Sequence, residues 1–133
     1  MSYSILVVDD SPLIRKMMKR SLGLSKLEVG TVHEATNGKE ALAVLEKEWI
    51  DVVLADIHMP VMSGTELIEL MSRDQLLGKI PVVVVSAERS EPAIDHLKKL
   101  GICAHLRKPF TPEQVLEVIN SVLDEVAKKA IAS

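Results

Sequence analysis

The sequence is poor in cysteine, and this scarcity already limits its chemistry. Its single cysteine, Cys103, cannot form an internal disulfide, which fits a reducing compartment. With no second thiol beside it, a structural metal site built on thiolates is not expected. We therefore predict that Cys103 is a small buried apolar residue.

The chain also lacks an excess of basic charge and a long apolar run. The 16 basic and 19 acidic side chains are interspersed and give a formal net charge of -3, so the field that binds nucleic acid phosphates is missing. The longest apolar stretch, around residues 80–85, is far shorter than the roughly 20 residues that cross a bilayer. We expect a soluble cytoplasmic protein that binds neither nucleic acid nor membrane.

The length of 133 residues fits one compact domain. Chains of about 100 to 150 residues close around a single core, and no repeat or linker divides this one. We expect residues 1–133 to form one domain with its core at about residues 4–126. Residues 127–133 are expected to fray as a tail.

Short runs rich in Val and Ile predict strands that are buried on both faces, as in a parallel sheet covered by helices. The three strongest runs are residues 5–8, 52–55 and 82–85, and two weaker candidates are residues 31–34 and 104–106.

Segments with helical periodicity and recognisable N-terminal signals lie between the predicted strands. Capping residues begin four of them, namely Ser11, Asn37, Ser63 and Thr111. Alternation of strand and helix with short connections implies right-handed crossovers. The sequence therefore predicts an α/β fold, a doubly wound five-stranded parallel sheet of the flavodoxin-like (βα)5 type.

Polar side chains gather at the carboxyl ends of the predicted strands, where open parallel sheets bind their ligands. Asp9 and Asp10 end the first strand, Asp56 ends the third, Ser86 ends the fourth, and Lys108 follows the fifth. Three converging carboxylates repel one another unless a cation is present. Mg²⁺, which prefers carboxylates, waters and a phosphate oxygen, resolves this conflict.

The same edge of the sheet could handle a phosphoryl group. Lys108 supplies a positive charge and Ser86 a hydroxyl donor for the equatorial oxygens. Asp56 is then the candidate nucleophile, because an aspartyl carboxylate can form an acyl phosphate. A simpler reading of Asp9 and Asp10 is that they cap the first helix and complement its dipole.

These residues lie in motifs that resemble the CheY-like receiver domains of two-component response regulators. The motifs are, in order, ILVVDDSP, ATNGKEAL, VVLADIHMPVMSG, PVVVVSA and LRKPF. The resemblance covers residues 4–126, almost the whole chain. It implies the strand order 2-1-3-4-5.

The resemblance also implies roles for the acidic residues. Asp56 is expected to be the phosphorylated residue. Asp10 and Asp56 are expected to ligate Mg²⁺ directly, together with the backbone carbonyl of His58, while Asp9 holds a metal-bound water. Met59-Pro60 and Gly64 are expected to shape the loop after Asp56, the glycine by permitting close backbone approach.

Further roles follow from the resemblance for the fourth and fifth strands. Ser86 and Lys108 are expected to contact the phosphoryl oxygens, with Ser86 in place of the commoner Thr. His105 stands where the family often has a switching Tyr or Phe, and it adds a titratable group there. It is either a switch residue or an ordinary histidine of the fifth strand.

Two more residues occupy family positions beside the path of the hydrolytic water. His58 follows Asp56 by two residues, and Glu88 follows Ser86 by two. We hypothesise that they tune the lifetime of the acyl phosphate; the alternative is that they are merely exposed.

The function expected from the resemblance is that of a single-domain response regulator. It would accept phosphate from a sensor histidine kinase or a histidine phosphotransfer protein, and signal to an unknown protein target through the face formed by its fourth helix, fifth strand and fifth helix. It is not an enzyme toward other substrates.

Three other readings of the sequence were weighed. The first is a receiver-like scaffold that is not phosphorylated, although no acid or lysine of the motif is lost. The second is a small aspartate-dependent phosphatase, which usually has an Asp-x-Asp first strand and a cap domain. The third is a flavin-binding protein of the same fold, which the aromatic content of 2% disfavours.

Overall fold

Strands and helices alternate along the computed structural model, which describes residues 2–26 and 28–132. Among these residues the strands are β1 Tyr3–Val8, β2 Val29–Ala35, β3 Val52–Ala55, β4 Val82–Ser86 and β5 Ala104–Arg107. The helices are α1 Pro12–Leu22, α2 Gly38–Lys47, α3 Gly64–Arg73, α4 Glu91–Lys99 and α5 Pro112–Ala132. A 3₁₀ turn, Leu77–Lys79, joins α3 to β4.

The five strands form one sheet in the order β2-β1-β3-β4-β5, and every neighbouring pair is parallel. This confirms the doubly wound fold predicted from the sequence and the strand order implied by the resemblance. The winding reverses at β1, so the carboxyl ends of β1 and β3 lie side by side at the switch point.

The core consists of two apolar layers, one on each face of the sheet. Successive strand residues point to opposite faces, so Ile5 and Val7 contribute to one layer while Leu6 and Val8 contribute to the other. Helices α1 and α5 cover the first face with Met18, Leu22, Ile119 and Leu123. Helices α2, α3 and α4 cover the second face with Leu45, Leu67, Ile68, Met71 and Leu97.

Helix starts follow the capping signals of the sequence. The side chain of Ser11 accepts a hydrogen bond from the backbone N–H of Ile14, and Ser63 forms a reciprocal capping box with Glu66. The side chains of Asn37 and Thr111 accept in the same way at the starts of α2 and α5. The α4 cap, Ser90, was not predicted, although Ser-Glu-Pro is a recognisable start signal.

Helix α5 extends into the segment that the sequence predicts to fray, and fraying itself stays a prediction. Residues 127–132, expected to fray, continue the helix to Ala132, while Ser133 lies outside the described residues. Ala and Lys are strong helix formers. Lys128 pairs with Asp124 at 3.3 Å, one turn earlier, which adds modest support.

Two side chains near the amino ends of the strands are more exposed than expected of apolar residues. Cys103 is exposed, so the prediction that it is buried was wrong. It lies in the turn before β5, and its backbone N–H donates to the carbonyl of Val82. Trp49, just before β3, is 80% exposed, and its indole N–H donates to Asp51 at 2.9 Å.

No helix in the described part of the chain combines the length and the apolar character needed to cross a bilayer.

Candidate functional site

Three aspartates meet at the switch point of the sheet. Asp9 and Asp10 follow β1 and Asp56 follows β3, and one carboxylate oxygen of each lies within 4.8 Å of the others. Asp9 is fully buried and Asp56 is 7% exposed, while Asp10 is exposed to solvent. The spatial cluster predicted from the strand ends is therefore present in the structure.

Lys108 reaches this cluster from the loop after β5. Its Nζ atom donates to Asp9 Oδ2 at 2.7 Å and to Asp56 Oδ2 at 3.1 Å. Burial opposes the charged ammonium, but the two hydrogen bonds and the attraction of both carboxylates outweigh burial and raise the pKa of Lys108 above its usual value. Lys108 therefore stays protonated and neutralises part of the negative charge of the cluster.

Backbone N–H groups hold two of the three carboxylates of the cluster. Asp9 Oδ1 accepts from the backbone N–H of Ser11 at 2.9 Å, and Asp56 Oδ1 accepts from the N–H of Ile57 at 2.7 Å. Ser11, rather than Asp9 or Asp10, is the N-cap of α1. The N-cap part of the alternative reading is therefore not met, while a role of these two aspartates in complementing the dipole of α1 stays open.

The loop after Asp56 folds back against the strand that precedes it. A Cβ atom on Gly64 would lie 1.9 Å from the backbone oxygen of Asp56, so a side chain does not fit there. The N–H of Gly64 donates to Ile57 O at 2.8 Å, and that of Met62 donates to Pro60 O at 2.8 Å. Val61, between them, has a φ of 69°, an uncommon conformation for a β-branched residue.

Ser86 ends β4 with a hydroxyl that is fully buried. Its Oγ atom lies 3.2 Å from Nε2 of His105 on β5 and accepts from the N–H of Glu88 at 3.2 Å. The hydroxyl thus connects the β4-α4 loop to the neighbouring strand. Contact of Ser86 with a phosphoryl oxygen stays a prediction.

His105 turns toward Ser86 and is only partly exposed. Burial lowers its pKa below the usual range, and the positive charges of Arg107 and Lys98 lower it further, while Glu88 opposes them. The imidazole is therefore neutral near pH 7, so Nε2 can accept the Ser86 hydroxyl hydrogen. A switching role for His105 stays a prediction.

His58 and Glu88 form a contact across the mouth of the site. His58 Nε2 lies 2.8 Å from Glu88 Oε2, and Glu88 Oε1 accepts from the N–H of Ser90 at 3.0 Å. The hydrogen bond from His58 is the main cause of a lowered Glu88 pKa, followed by that from Ser90. The pair joins the β3-α3 loop to the β4-α4 loop, whereas metal ligation by the His58 carbonyl stays a prediction.

An arginine beside the cluster was missed by sequence reasoning. Arg15 Nη1 donates to the backbone carbonyl of Asp9 at 2.7 Å, and its Nε donates to Glu34 Oε1 at 3.0 Å. Arg15 follows Ser11 by one helical turn, so it had to lie over the start of α1. The register of β2, which presents Glu34 to it, is not readable from local sequence.

The donor set of the cluster suits a hard divalent cation. Three carboxylates supply only oxygen ligands, and Mg²⁺ is commonly held by one or two carboxylates with its remaining positions open to water or phosphate. Lys108 offsets only part of the three negative charges. The residues present therefore fit Mg²⁺.

The parallel sheet and the acidic cluster at its switch point define a doubly wound α/β protein whose candidate site lies at the carboxyl ends of β1 and β3. The family model of the response regulator receiver domain matches residues 5–120. The chain belongs to this family of two-component signalling domains.

Known proteins with similar sequence and structure support this assignment. A chemotaxis protein CheY homolog of Campylobacter jejuni is 33% identical over 120 residues, which cover 90% of this chain and 91% of that protein. The structure of chemotaxis protein CheY4 of Vibrio cholerae has a TM-score of 0.81 at 33% identity, covering 92% of this chain and 99% of that one.

A longer relative also matches. The probable transcriptional regulator ycf29 of Pyropia yezoensis is 31% identical over 134 residues, which cover 98% of this chain. The chain spans only 58% of the length of that relative.

Proposed function

We propose that the chain accepts a phosphoryl group on Asp56 in a Mg²⁺-dependent reaction and, once phosphorylated, signals by binding another protein. The donor is the phosphohistidine of a sensor histidine kinase or of a histidine phosphotransfer protein. The observation that supports this most is the pairing of Lys108 with both Asp9 and Asp56, at 2.7 and 3.1 Å. It places a permanent cation beside the nucleophile, where charge develops during phosphoryl transfer.

Asp56 is the nucleophile of the proposed transfer. Its Oδ1 is held by the N–H of Ile57, so Oδ2, which contacts Lys108, is the oxygen that forms the new O–P bond. As this bond forms, the P–N bond of the phosphohistidine breaks, and its electron pair returns to the ring nitrogen. The donor leaves as neutral imidazole when its second ring nitrogen carries a proton.

The side chains of Lys108 and Ser86, together with Mg²⁺, then hold the transferred phosphoryl group. Mg²⁺, when bound by Asp10, Asp56 and the carbonyl of His58, supplies positive charge that offsets the carboxylates and the phosphoryl oxygens. The ammonium of Lys108 moves from the Asp56 carboxylate to a phosphoryl oxygen. The hydroxyl of Ser86 turns from His105 to donate to another.

The Ser86 hydrogen bonds support an output through the face formed by α4, β5 and α5. Ser86 contacts both His105 on β5 and the backbone of Glu88 in the β4-α4 loop. If its hydroxyl turns toward a phosphoryl group, both contacts change together. The new charge at Asp56 would thus be transmitted to strand β5 and to the start of α4.

Acetyl phosphate provides a direct test of the phosphoacceptor. The wild-type protein should form an acid-stable, base-labile adduct with acetyl phosphate and Mg²⁺, detected by intact mass, and chelation of Mg²⁺ should prevent it. Asp56→Asn should form none. Asp95→Asn, which changes an exposed aspartate of α4, should react like wild type.

Other outcomes identify the alternatives. An adduct on Asp56→Asn would place the phosphoacceptor elsewhere. No adduct in wild type, with an NMR spectrum unchanged by beryllofluoride and Mg²⁺, would favour the non-phosphorylated scaffold. Rapid release of phosphate from added phosphomonoesters would favour the phosphatase.

A further inference from the structure

Arg15 joins the end of β1 to the edge strand β2. Its side chain is only 14% exposed, and its guanidinium donates to the Asp9 carbonyl at 2.7 Å and to Glu34 at 3.0 Å. Lys19, one turn later on α1, donates to the second oxygen of Glu34 at 3.1 Å. Glu34 is thereby held from two sides and keeps the planar guanidinium in one orientation.

The Asp9 carbonyl belongs to the peptide group that links Asp9 to Asp10 just beyond β1. The N–H of Asp9 donates to Ala35 O at 3.1 Å, and Asp9 is the first residue beyond β1. Its carbonyl oxygen belongs to the planar peptide group that it shares with Asp10. A donor that holds this oxygen therefore sets the plane of the Asp9–Asp10 peptide and the direction in which Asp10 leaves the strand.

The positive charge of Arg15 does not by itself favour metal binding at the cluster. A cation near the three carboxylates weakens the binding of a divalent cation, so removing it should strengthen binding if charge is its only effect. The ion pair with Glu34 reduces this unfavourable charge. The contacts of Arg15 are directed instead at the backbone that carries Asp9 and Asp10.

We propose that Arg15 is a positioning residue for the divalent cation site, holding the Asp9–Asp10 peptide in the orientation that lets both carboxylates face the ion, with Glu34 as its anchor. The proposal rests on the proposed function, because the cation is the one that function requires. Arg15 acts through the backbone of Asp9 and does not touch the ion.

Mg²⁺ titration of the unphosphorylated protein, followed by NMR or calorimetry, tests the proposal. Arg15→Met should weaken Mg²⁺ binding about tenfold or more, the loss typical of residues that orient metal ligands. Lys16→Met removes an exposed cation from the next position of α1 and should leave binding unchanged or slightly stronger. Weaker Mg²⁺ binding in Arg15→Met without any weakening in Lys16→Met separates positioning from charge.

Arg15→Lys is the second variant and the most conservative one. It keeps the charge but loses the planar fork that reaches Asp9 and Glu34 together, so Mg²⁺ binding should weaken several-fold. In the metal-free protein, the amide signal of Asp10 should shift in both Arg15 variants and not in Lys16→Met. A general loss of stability would not produce that local signature.

The outcomes distinguish this inference from the proposed function. If wild type binds no Mg²⁺, the proposed metal site is wrong. If wild type binds Mg²⁺ and both Arg15 variants bind it equally or more tightly, the positioning role is overturned while the metal site stands. Because Arg15→Lys is mild, failure of Arg15→Met to fold would still leave the inference testable.

Discussion

The hydroxyl oxygen of Ser86 lies 3.2 Å from Nε2 of His105. This hydrogen bond connects the buried end of β4 to a histidine on the edge strand of the sheet. The protonation of His105 decides the direction of the bond, because a neutral imidazole can accept from the hydroxyl whereas an imidazolium can only donate to it. The protein should therefore respond to pH at this contact.

His105 should make the folded state less stable in acid. Its folded pKa is lowered from 6.5, by burial first and then by Arg107 and Lys98, so the unfolded chain binds the proton more readily. Protonation of His105 has no effect on the free energy of unfolding well above pH 6.5. It lowers this free energy as the pH falls through 6.5 toward the folded pKa. His105→Gln should remove this effect.

Urea unfolding at about pH 8 and about pH 5.5, on either side of the usual histidine pKa, measures the effect. The free energy of unfolding should fall more in wild type than in His105→Gln over this interval. An equal or larger fall in the variant would contradict the lowered pKa of His105.

Removing the ammonium at the site should destabilise the fold in a metal-sensitive way. Lys108→Met leaves the fully buried Asp9 without its cation, and breaking such a buried pair costs about 3–5 kcal/mol. Mg²⁺ should restore part of this loss, because a cation that binds only the folded state stabilises it. The gain on adding Mg²⁺ should be larger in the variant than in wild type.

Denaturant unfolding with and without Mg²⁺ provides the measurement. Lys128→Met is the matched control, since Lys128 pairs with exposed acids on α5 and a surface ion pair of this kind adds little to stability. Equal stabilities of the two variants without metal would refute the importance of the buried pair.

The close approach at Gly64 predicts a strong response to a single methyl group. Gly64→Ala would put a Cβ atom 1.9 Å from backbone oxygen of Asp56, so the loop must shift, at a cost of about 1–3 kcal/mol or more. Gly23→Ala is a matched control, because the nearest atom to its Cβ is 3.4 Å away. Thermal unfolding should separate the two variants clearly, and similar melting temperatures would contradict the packing.

Breaking the contact between His58 and Glu88 should shorten the life of the acyl phosphate. The pair, at 2.8 Å, joins the β3-α3 loop that carries Asp56 to the β4-α4 loop, and we expect it to restrict the approach of water to the acyl phosphate. His58→Ala and Glu88→Ala should each speed dephosphorylation several-fold, and the double variant should be little faster than either one, as expected for residues that act together. The measurement is the rate of phosphate loss from each phosphorylated protein after the phosphodonor is removed. Rates equal to wild type in both single variants and in the double variant would contradict the hypothesis.

Local patterns in the sequence were sufficient to predict most of the scaffold. Each Val-rich run became a strand because two helical layers bury it on both faces, as such runs require. Capping side chains located four helix starts because they satisfy backbone N–H groups within the same turn. The carboxyl ends of parallel strands share one edge, so the meeting of Asp9, Asp56 and Lys108 followed from their positions alone.

Features set by distant contacts were not predictable. Arg15 and Glu34 meet only because β2 pairs with β1 in one particular register. Residue exposure at the ends of elements depends on what packs over them, and nothing local in the sequence reveals that the side chain of Cys103 is exposed. The Ala and Lys residues of 127–132 favour the helix that α5 forms there, but the last turns of a helix commonly fray, so propensity alone did not decide this segment.

The exposed indole of Trp49 has a practical consequence for following this protein in solution. Trp49 precedes β3 and Asp56 follows it, so the four residues of this strand alone separate them by about 13 Å at the usual rise per residue. Trp49 is the one tryptophan of the sequence. Intrinsic fluorescence therefore reports on the amino ends of the strands, the edge of the sheet opposite the acidic cluster. Its emission should record global unfolding without interference from phosphorylation chemistry, and an optical signal for that chemistry will need a fluorophore introduced beside Asp10.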